Sequence, residues 1–161
     1  MRFTTQAEYG LICSLHLARQ VDRGPVAARE MAEIENLPGD YTEKILRRLR
    51  QAGLVTAVRG VSGGFQLARD PNEISVKDVI DATEGGTFEI NCTEHPVGPD
   101  RCAETQDCSI RPVWLALRQR IDALLSEIRL SDLIEEREAG VSELIDITWG
   151  PVEHAPSSTP A

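Results

Sequence analysis

The stretch that decides the fold is residues 40–64, DYTEKILRRLRQAGLVTAVRGVSGG. Its first half has helical spacing, with apolar residues on one side and mostly basic residues on the other. The residues predicted to face inward are Ile45, Leu46 and Leu49. Asp40 followed by Glu43 is typical of a capping box, and Gly53 is typical of the position just past a helix C-terminus. The pattern therefore predicts a helix from Asp40 to Gly53 with a basic outer face.

Two further helices are predicted upstream of this stretch. Residues 5–20 carry apolar side chains at helical spacing, and residues 26–36 do so over a shorter span that stops at a Leu-Pro-Gly turn. In the first of these helices we interpret Cys13 as a small core residue and His16 as a satisfied or exposed residue rather than a ligand. Two helices joined by a short glycine-containing turn, the second of them basic, form the helix-turn-helix pattern.

A β-hairpin is predicted directly after the basic helix. Two short strand-like runs, LVTAVRG at 54–60 and FQLARD at 65–70, flank the glycine-rich sequence Gly-Val-Ser-Gly-Gly. Glycine suits such a turn because it tolerates unusual backbone angles and the close approach of other chain segments. A hairpin in this place is the wing of a winged-helix domain.

Downstream, Ser75 is predicted to cap one more helix, which closes at Gly85-Gly86. A longer helix follows, with apolar residues spaced 4, 3, 4, 3 and 4 apart over nearly three heptads. These seam residues are Ile110, Trp114, Leu117, Ile121, Leu124 and Ile128. A seam this narrow favours a partner helix over packing on the same domain, so we expect a homodimer formed through this helix.

Three of the four cysteines cluster in a segment with little periodicity, at Cys92, Cys102 and Cys108. A long segment without predicted secondary structure is more often functional than structural. An odd cluster of cysteines in a chain without a secretion signal indicates metal or redox chemistry rather than a disulfide framework. Zinc bound by the three cysteines and His95 is an alternative, although the close cysteine pair of a zinc finger is missing.

The net charge of −9 hides an asymmetry along the chain. Residues 1–70 have a net charge of +2, and residues 71–161 have a net charge of −11. Nucleic-acid affinity depends on where the basic residues lie, so an acidic chain with a basic helix can bind DNA. The sequence shows neither a signal peptide nor an apolar stretch long enough to span a bilayer, which predicts a cytoplasmic protein without a membrane partner.

The motifs together resemble one bacterial family. RFTTQAEYGL at 2–11, residues 40–70 and EISVKDVIDATEG at 73–85 are similar to the IscR-type winged-helix regulators, which include NsrR and RirA. The likeness covers roughly residues 1–135 and ends with an LSDL segment, and the combination GLV-x-x-x-RG-x-x-GG is its most specific part.

The resemblance implies an iron–sulfur cluster, with [2Fe–2S] favoured and [4Fe–4S] as the alternative. Cys92, Cys102 and Cys108 match the three cysteine positions of the family. The first gap, of nine residues, is longer than usual, and Arg111 stands where some members have a histidine ligand. Glu8 matches the position from which NsrR-like members supply a carboxylate across the dimer, so the fourth ligand is expected to be Glu8, with His95 as the alternative.

The helix-turn-helix and the resemblance together imply binding to a palindromic operator in double-stranded DNA. At the start of the recognition helix, Tyr41, Thr42 and Glu43 are expected to approach base edges, whereas Arg47 or Arg48 is expected to meet phosphate. Arg59 in the wing matches a family position that enters the minor groove. The remaining expected DNA-contacting residues are Lys44, Ser62 and Gly63.

The predicted fold is mainly α with a small β-hairpin wing: a winged helix-turn-helix domain followed by a long dimerisation helix. We divide the chain into a DNA-binding domain at 1–86, a cluster-binding loop at 87–109, a dimerisation helix with a following short helix at 110–138, and a largely disordered tail at 139–161. The predicted function is a transcriptional regulator that senses redox state, nitric oxide or iron supply. We expect it to be a repressor.

Two rival functions are weighed against this one. A regulator of the same fold could lack a cluster and respond to thiol oxidation, zinc or an enzyme partner. A cysteine-nucleophile enzyme would need a base beside a reactive thiol. The histidines available for that role, His16, His95 and His154, lie in no convincing triad context, so we predict that the chain is not an enzyme.

Overall fold

The computed structural model describes residues 4–87 and 110–135. In these two ranges the helices are α1 (Thr5–Arg19), α2 (Ala28–Ile34), α3 (Gly39–Gln51), α4 (Val76–Glu84), α5 (Arg111–Glu127) and α6 (Leu130–Glu135). One antiparallel hairpin joins β1 (Val55–Val58) to β2 (Gly64–Leu67). Short 3-10 turns lie at Val21–Arg23 and Pro71–Glu73. The expected mainly helical fold with a small wing is confirmed.

The core of the domain lies where α1, α3 and α4 meet. Leu17 of α1, Leu49 of α3 and Val79 of α4 are fully buried there. Leu130 at the start of α6 is buried in the same cluster, so the chain returns to this core after α5. Cys13 belongs to this core and is fully buried, as the sequence predicted.

The wing is fastened to the domain by a third short segment. Val26 pairs with Phe65 of β2, with Val26 N donating to the Phe65 carbonyl at 2.9 Å and Phe65 N donating back at 2.8 Å. A Cβ built on Gly64 would lie 2.4 Å from the Val26 carbonyl oxygen, so only glycine allows this approach. The hairpin therefore sits at a defined place against α1 and α3.

The sequence predicted the N-terminal cap of α4 correctly but not that of α3. Ser75 forms the expected capping box with Asp78. The capping box expected at Asp40 is wrong, because α3 begins one residue earlier and its N-cap residue, Pro38, makes no side-chain cap bond. Pro38 fixes the turn and the helix starts directly after it.

The last predicted regions fall mostly outside the described residues. The loop at 88–109 and residues 136–161 are not described, so the expected cluster loop and disordered tail stay predictions. Among the described residues, no helix combines the length and the apolar character needed to cross a membrane.

Candidate nucleic-acid interface

The outer face of α3 carries a compact charged surface. Glu43, Lys44 and Arg47 are exposed there. Arg47 donates to the Glu43 carboxylate at 3.0 Å, one helical turn away, and both side chains are more than half exposed. An ion pair this exposed contributes little to stability, so either partner can exchange it for a nucleic-acid contact at small cost.

Tyr41 is held at the start of this surface by two aromatic contacts. Its ring meets the Tyr9 ring of α1 edge to face, with the centroids 5.3 Å apart and the planes at 86°. The Lys44 ammonium lies 6.0 Å from the centroid of the Tyr41 ring. Tyr41 is therefore half-buried and oriented, with part of its ring facing the solvent beside Lys44.

Two residues expected on this surface face inward instead. Thr42 is fully buried, and its hydroxyl donates to the Pro38 carbonyl at 3.0 Å. The expectation that Thr42 approaches base edges is therefore wrong. Arg48 is also turned inward, and its guanidinium donates to the Gln6 side chain and to the Thr83 carbonyl. Because only Nη1 of Arg48 is used in these contacts, a phosphate contact through its remaining nitrogens stays a prediction.

The turn of the wing depends on glycine, and polar residues lie next to these glycines. A Cβ on Gly63 would lie 2.3 Å from the Val58 carbonyl oxygen and 2.9 Å from that of Gly60, so the tight turn excludes a side chain there. Gly60 has a φ of 123°, which residues with a side chain rarely adopt. Arg59 and Ser62 are both exposed at this turn.

The three clustered cysteines lie outside the described residues, and the structure gives only the flanks of their segment. On its N-terminal side, the Thr87 hydroxyl is hydrogen-bonded to Asp122 of α5. On its C-terminal side, Ile110 directly precedes α5. Glu8, the expected carboxylate ligand, is exposed on α1. Within residues 4–87 and 110–135 no group of three metal-ligating side chains occurs.

The donor set fits an iron–sulfur cluster on chemical grounds. Thiolates are the preferred protein ligands of such iron, and three of them leave one iron position for a further ligand. Glu8 is exposed, and a carboxylate at that position would be a harder and weaker donor than a thiolate. Cys13, which is not expected to belong to this set, is fully buried, and burial raises its pKa to about 12.

The apolar face of α5 divides into two parts. Leu117 and Leu124 are exposed, as are Ile110, Val113 and Trp114. Ile121 is half-buried. Ile128 lies past the end of α5 in extended conformation and packs with Val76 and Ile80 of its own domain. Part of the Ile128 side chain is thus covered within the protomer, and its place in the dimer seam stays a prediction.

A buried polar pair was only partly foreseen. His16 Nδ1 lies 2.7 Å from a carboxylate oxygen of Glu35, which follows α2. Of the two predicted alternatives, a satisfied or an exposed histidine, the first holds on that side of the ring. Its Nε2 has no hydrogen-bond partner among the described residues. Nothing in the sequence spacing points to this pair, because the two residues meet only through the packing of α1 against the end of α2.

Three comparisons with known proteins agree on one family. Residues 3–136 match the family model Rrf2, described as an iron-dependent transcriptional regulator. An HTH-type transcriptional regulator of Synechocystis is 38% identical over 133 residues, which is 83% of this chain and 87% of that protein.

Two solved structures share the fold. T. potens IscR has a TM-score of 0.69 at 30% identity, covering 86% of this chain and 90% of that one. CymR, the global cysteine regulator of B. subtilis, has a TM-score of 0.68 at 28% identity, covering 84% of this chain and 97% of that one. The resemblance expected from the motifs is confirmed.

Proposed function

Because the chain belongs to the Rrf2 family of transcriptional regulators, we propose that it is a homodimeric repressor whose binding to a palindromic operator is controlled by an iron–sulfur cluster. The family consists of regulators rather than enzymes, so the cysteine-nucleophile alternative is dropped. One observation carries the proposal: an exposed charged helix face lies beside a glycine-built wing, and an exposed apolar helix follows in the same chain.

Operator recognition is assigned to the outer face of α3 and to the wing. Glu43 can accept from cytosine N4 in the major groove, and Lys44 and Arg47 can approach bases or phosphates. Tyr41 contributes the exposed part of its ring. Arg59 in the wing can enter the adjacent minor groove, while Ser62 and the backbone at Gly63 meet the sugar–phosphate chain.

Dimerisation is assigned to the exposed part of α5. Leu117 and Leu124 lie on one side of a helix that has no buried residue in the protomer. Several large apolar side chains exposed together mark an interaction surface more often than free surface. A second copy is the occupant that fits, because a palindromic operator requires two recognition helices about 34 Å apart, related by a two-fold axis.

The cluster is assigned to Cys92, Cys102 and Cys108, with Glu8 of the second protomer as fourth ligand and His95 as the alternative. A bound cluster would supply a centre that gains or loses an electron, reacts with nitric oxide and is lost when iron is scarce. [2Fe–2S] is the favoured form and [4Fe–4S] the alternative. The weak carboxylate makes Glu8 the ligand most readily exchanged, which suits a sensor.

A second candidate function has support from the comparisons. CymR is described as a global cysteine regulator, and a chain similar to it can work without a cluster. In that case Cys92, Cys102 and Cys108 would respond to thiol oxidation, bind zinc, or lie near an enzyme partner.

Purification without oxygen separates the two candidates. The expected result is a brown protein with visible absorbance and stoichiometric iron and sulfide. Cys102→Ala should lose the cluster or hold it weakly, whereas the matched control Cys13→Ala should keep full iron, because Cys13 is buried in the core. A colourless wild-type protein that contains zinc or no metal would contradict cluster control and favour the second candidate.

Mixed dimers test the role of Glu8. A dimer with Glu8→Ala in one chain and Cys102→Ala in the other should keep one intact site if Glu8 is supplied across the interface. Glu8→Ala in both chains should still assemble a cluster, with an altered spectrum and faster loss in air. If the dimer with Glu8→Ala in both chains behaves as the wild type, Glu8 is not a ligand, and His95→Ala becomes the next variant to measure.

A further inference from the structure

Arg48 occupies an unusual place in the recognition helix. Its neighbours Arg47 and Arg50 are exposed, but Arg48 is half-buried and turned into the domain. A single guanidinium nitrogen, Nη1, donates to the side-chain oxygen of Gln6 in α1 and to the backbone carbonyl of Thr83 in α4. The side chain thus joins three helices at one point.

The two helices that accept from Arg48 are themselves fastened together. The Glu84 carboxylate accepts from the backbone N–H of Thr4 at 2.9 Å and from that of Ala7 at 3.3 Å. The Thr4 hydroxyl donates to the same oxygen. A carboxylate satisfies the free N–H groups at the start of a helix and suits its positive end. The start of α1 is therefore held by the end of α4.

Helices α1 and α4 are also closely packed one turn further along α1, at Gly10. A Cβ built on Gly10 would lie 2.6 Å from Thr83 Cγ2 and 3.3 Å from Val79 Cγ1. The Thr83 hydroxyl is used inside α4, where it donates to the Val79 carbonyl at 2.9 Å. The α1 backbone thus lies directly on Thr83, the residue whose carbonyl accepts from Arg48. We call the contacts among Gln6, Gly10, Thr83 and Glu84 the α1–α4 junction.

The junction also lies close in sequence to parts of the proposed sensor. Glu8 lies two residues after Gln6. The segment with the clustered cysteines begins just after Thr87, three residues beyond Glu84. Arg48 links the recognition helix by hydrogen bonds to Gln6 and Thr83, which come shortly before these two stretches in the sequence.

We propose that Arg48 is a positioning residue for operator recognition: it fixes the orientation of α3 against the α1–α4 junction, so that a displacement of the junction changes operator affinity without changing the number of phosphate contacts. This inference rests on the proposed DNA interface, since it requires α3 to be the recognition helix. A positive charge suits this place because the carbonyl groups at the end of α4 carry the negative end of the helix dipole.

The salt dependence of DNA binding tests the proposal. Arg48→Met keeps the length and packing of the side chain and removes both hydrogen bonds. It should lower the affinity for the operator about tenfold and leave the slope of log affinity against log salt unchanged. The matched variant Arg47→Met removes an exposed charge one position earlier, and it should reduce that slope by about one. The duplexes are one enriched by the wild-type protein from random sequences and a scrambled version of it.

Two further variants exclude a merely structural effect. Gln6→Met removes one acceptor from α1, and its effect on operator affinity should not add to that of Arg48→Met, because both break the same contact. Arg48→Lys keeps the charge and one nitrogen with several donors, so it should restore most of the lost affinity. Unfolding curves and titrated binding stoichiometry ensure that each affinity refers to folded protein, and Gln6→Met gives the result if Arg48→Met does not fold.

The outcomes separate the two levels of the argument. If the wild-type protein selects no duplex, the proposed DNA interface fails. If it does, but Arg48→Met flattens the salt slope as Arg47→Met does, Arg48 is a phosphate contact and the positioning role is wrong. Additive effects of Gln6→Met and Arg48→Met, or unchanged affinity in Arg48→Met, overturn it as well.

Discussion

Helices α3 and α5 both carry apolar residues at helical spacing, yet the protein uses them in opposite ways. Leu46 and Leu49 of α3 are 0% exposed. On α5, Leu117 is 39% exposed and Leu124 is 37% exposed. The first helix has buried its apolar side within the protomer, and the second presents it to the solvent.

The difference comes from the neighbours of each helix. Helix α3 packs against α1, α2, α4 and β1, so its apolar side is enclosed. Helix α5 packs chiefly on α4, and only the residues near its end, such as Leu125 and Ile128, join the protomer's apolar clusters. An amphipathic pattern thus specifies that a face is to be buried, whereas the surroundings decide whether the same chain or a second copy covers it.

Placing charge in the exposed apolar face should have the largest effect. Leu117→Asp combined with Leu124→Asp should convert dimers to monomers at micromolar concentration, because two carboxylates would enter an apolar interface. Light scattering and sedimentation measure the change. The matched control is Gln119→Asp with Ala123→Asp, which adds the same charge to exposed positions of α5 away from these leucines and should stay dimeric. A double leucine variant that remains dimeric would mean that this face is not the interface.

A cavity in the enclosed helix should destabilise the protomer instead. Leu49→Ala should lower the free energy of unfolding by about 3 kcal/mol, since a fully buried leucine leaves a cavity when it is truncated. Denaturation measured at several protein concentrations separates this loss from a change in association. The dimer dissociation constant should stay the same, and a shift in it would show that α3 and the interface are not independent. Val61→Ala, at the exposed tip of the wing, is the control with almost no expected effect.

Ile128 sharpens the boundary between the two regimes. Because it packs with Val76 and Ile80 of its own domain, Ile128→Ala should cost about 1 kcal/mol of unfolding free energy. The same measurements should show an unchanged dimer dissociation constant. A weaker dimer with normal protomer stability would instead show that Ile128 belongs to the predicted seam.

The last and smallest expected effect concerns the Cys13 thiol, whose reactivity reports how often the core around α1 opens. Burial and the nearby Glu35 carboxylate raise its pKa to about 12. The folded state therefore keeps the thiol protonated, and the stability that this contributes is complete below the unfolded pKa of 9.0 and is lost as pH rises toward 12.

Alkylation at pH 8 should accordingly be slow at Cys13 in the folded protein and fast after unfolding. A variant with alanine at Cys92, Cys102 and Cys108 isolates this thiol for mass spectrometry. In that variant, labelling of the folded protein as rapid as that of the unfolded protein would mean that the core opens readily around α1.

Local patterns carried most of the fold. The helices, the wing and the cap at Ser75 follow from periodicity, glycine and short-range hydrogen bonding, all of which are written within a few residues of chain. The start of α3 was predicted one residue too late, because Pro38 rather than Asp40 is the N-cap residue. The charged surface of Glu43, Lys44 and Arg47 was predicted correctly as exposed, since it lies opposite the apolar side of α3.

What the sequence determined by itself is the kind of element at each place and the family to which the pattern belongs. Only the tertiary structure decided that Thr42 and Arg48 turn inward and that Ile128 packs on its own protomer. Helical spacing shows which residues share a side, but a residue at the edge of that side faces whichever helix packs there. For Arg48 this neighbour is the end of α4, 35 residues away in sequence, and a contact so distant leaves no trace in local periodicity.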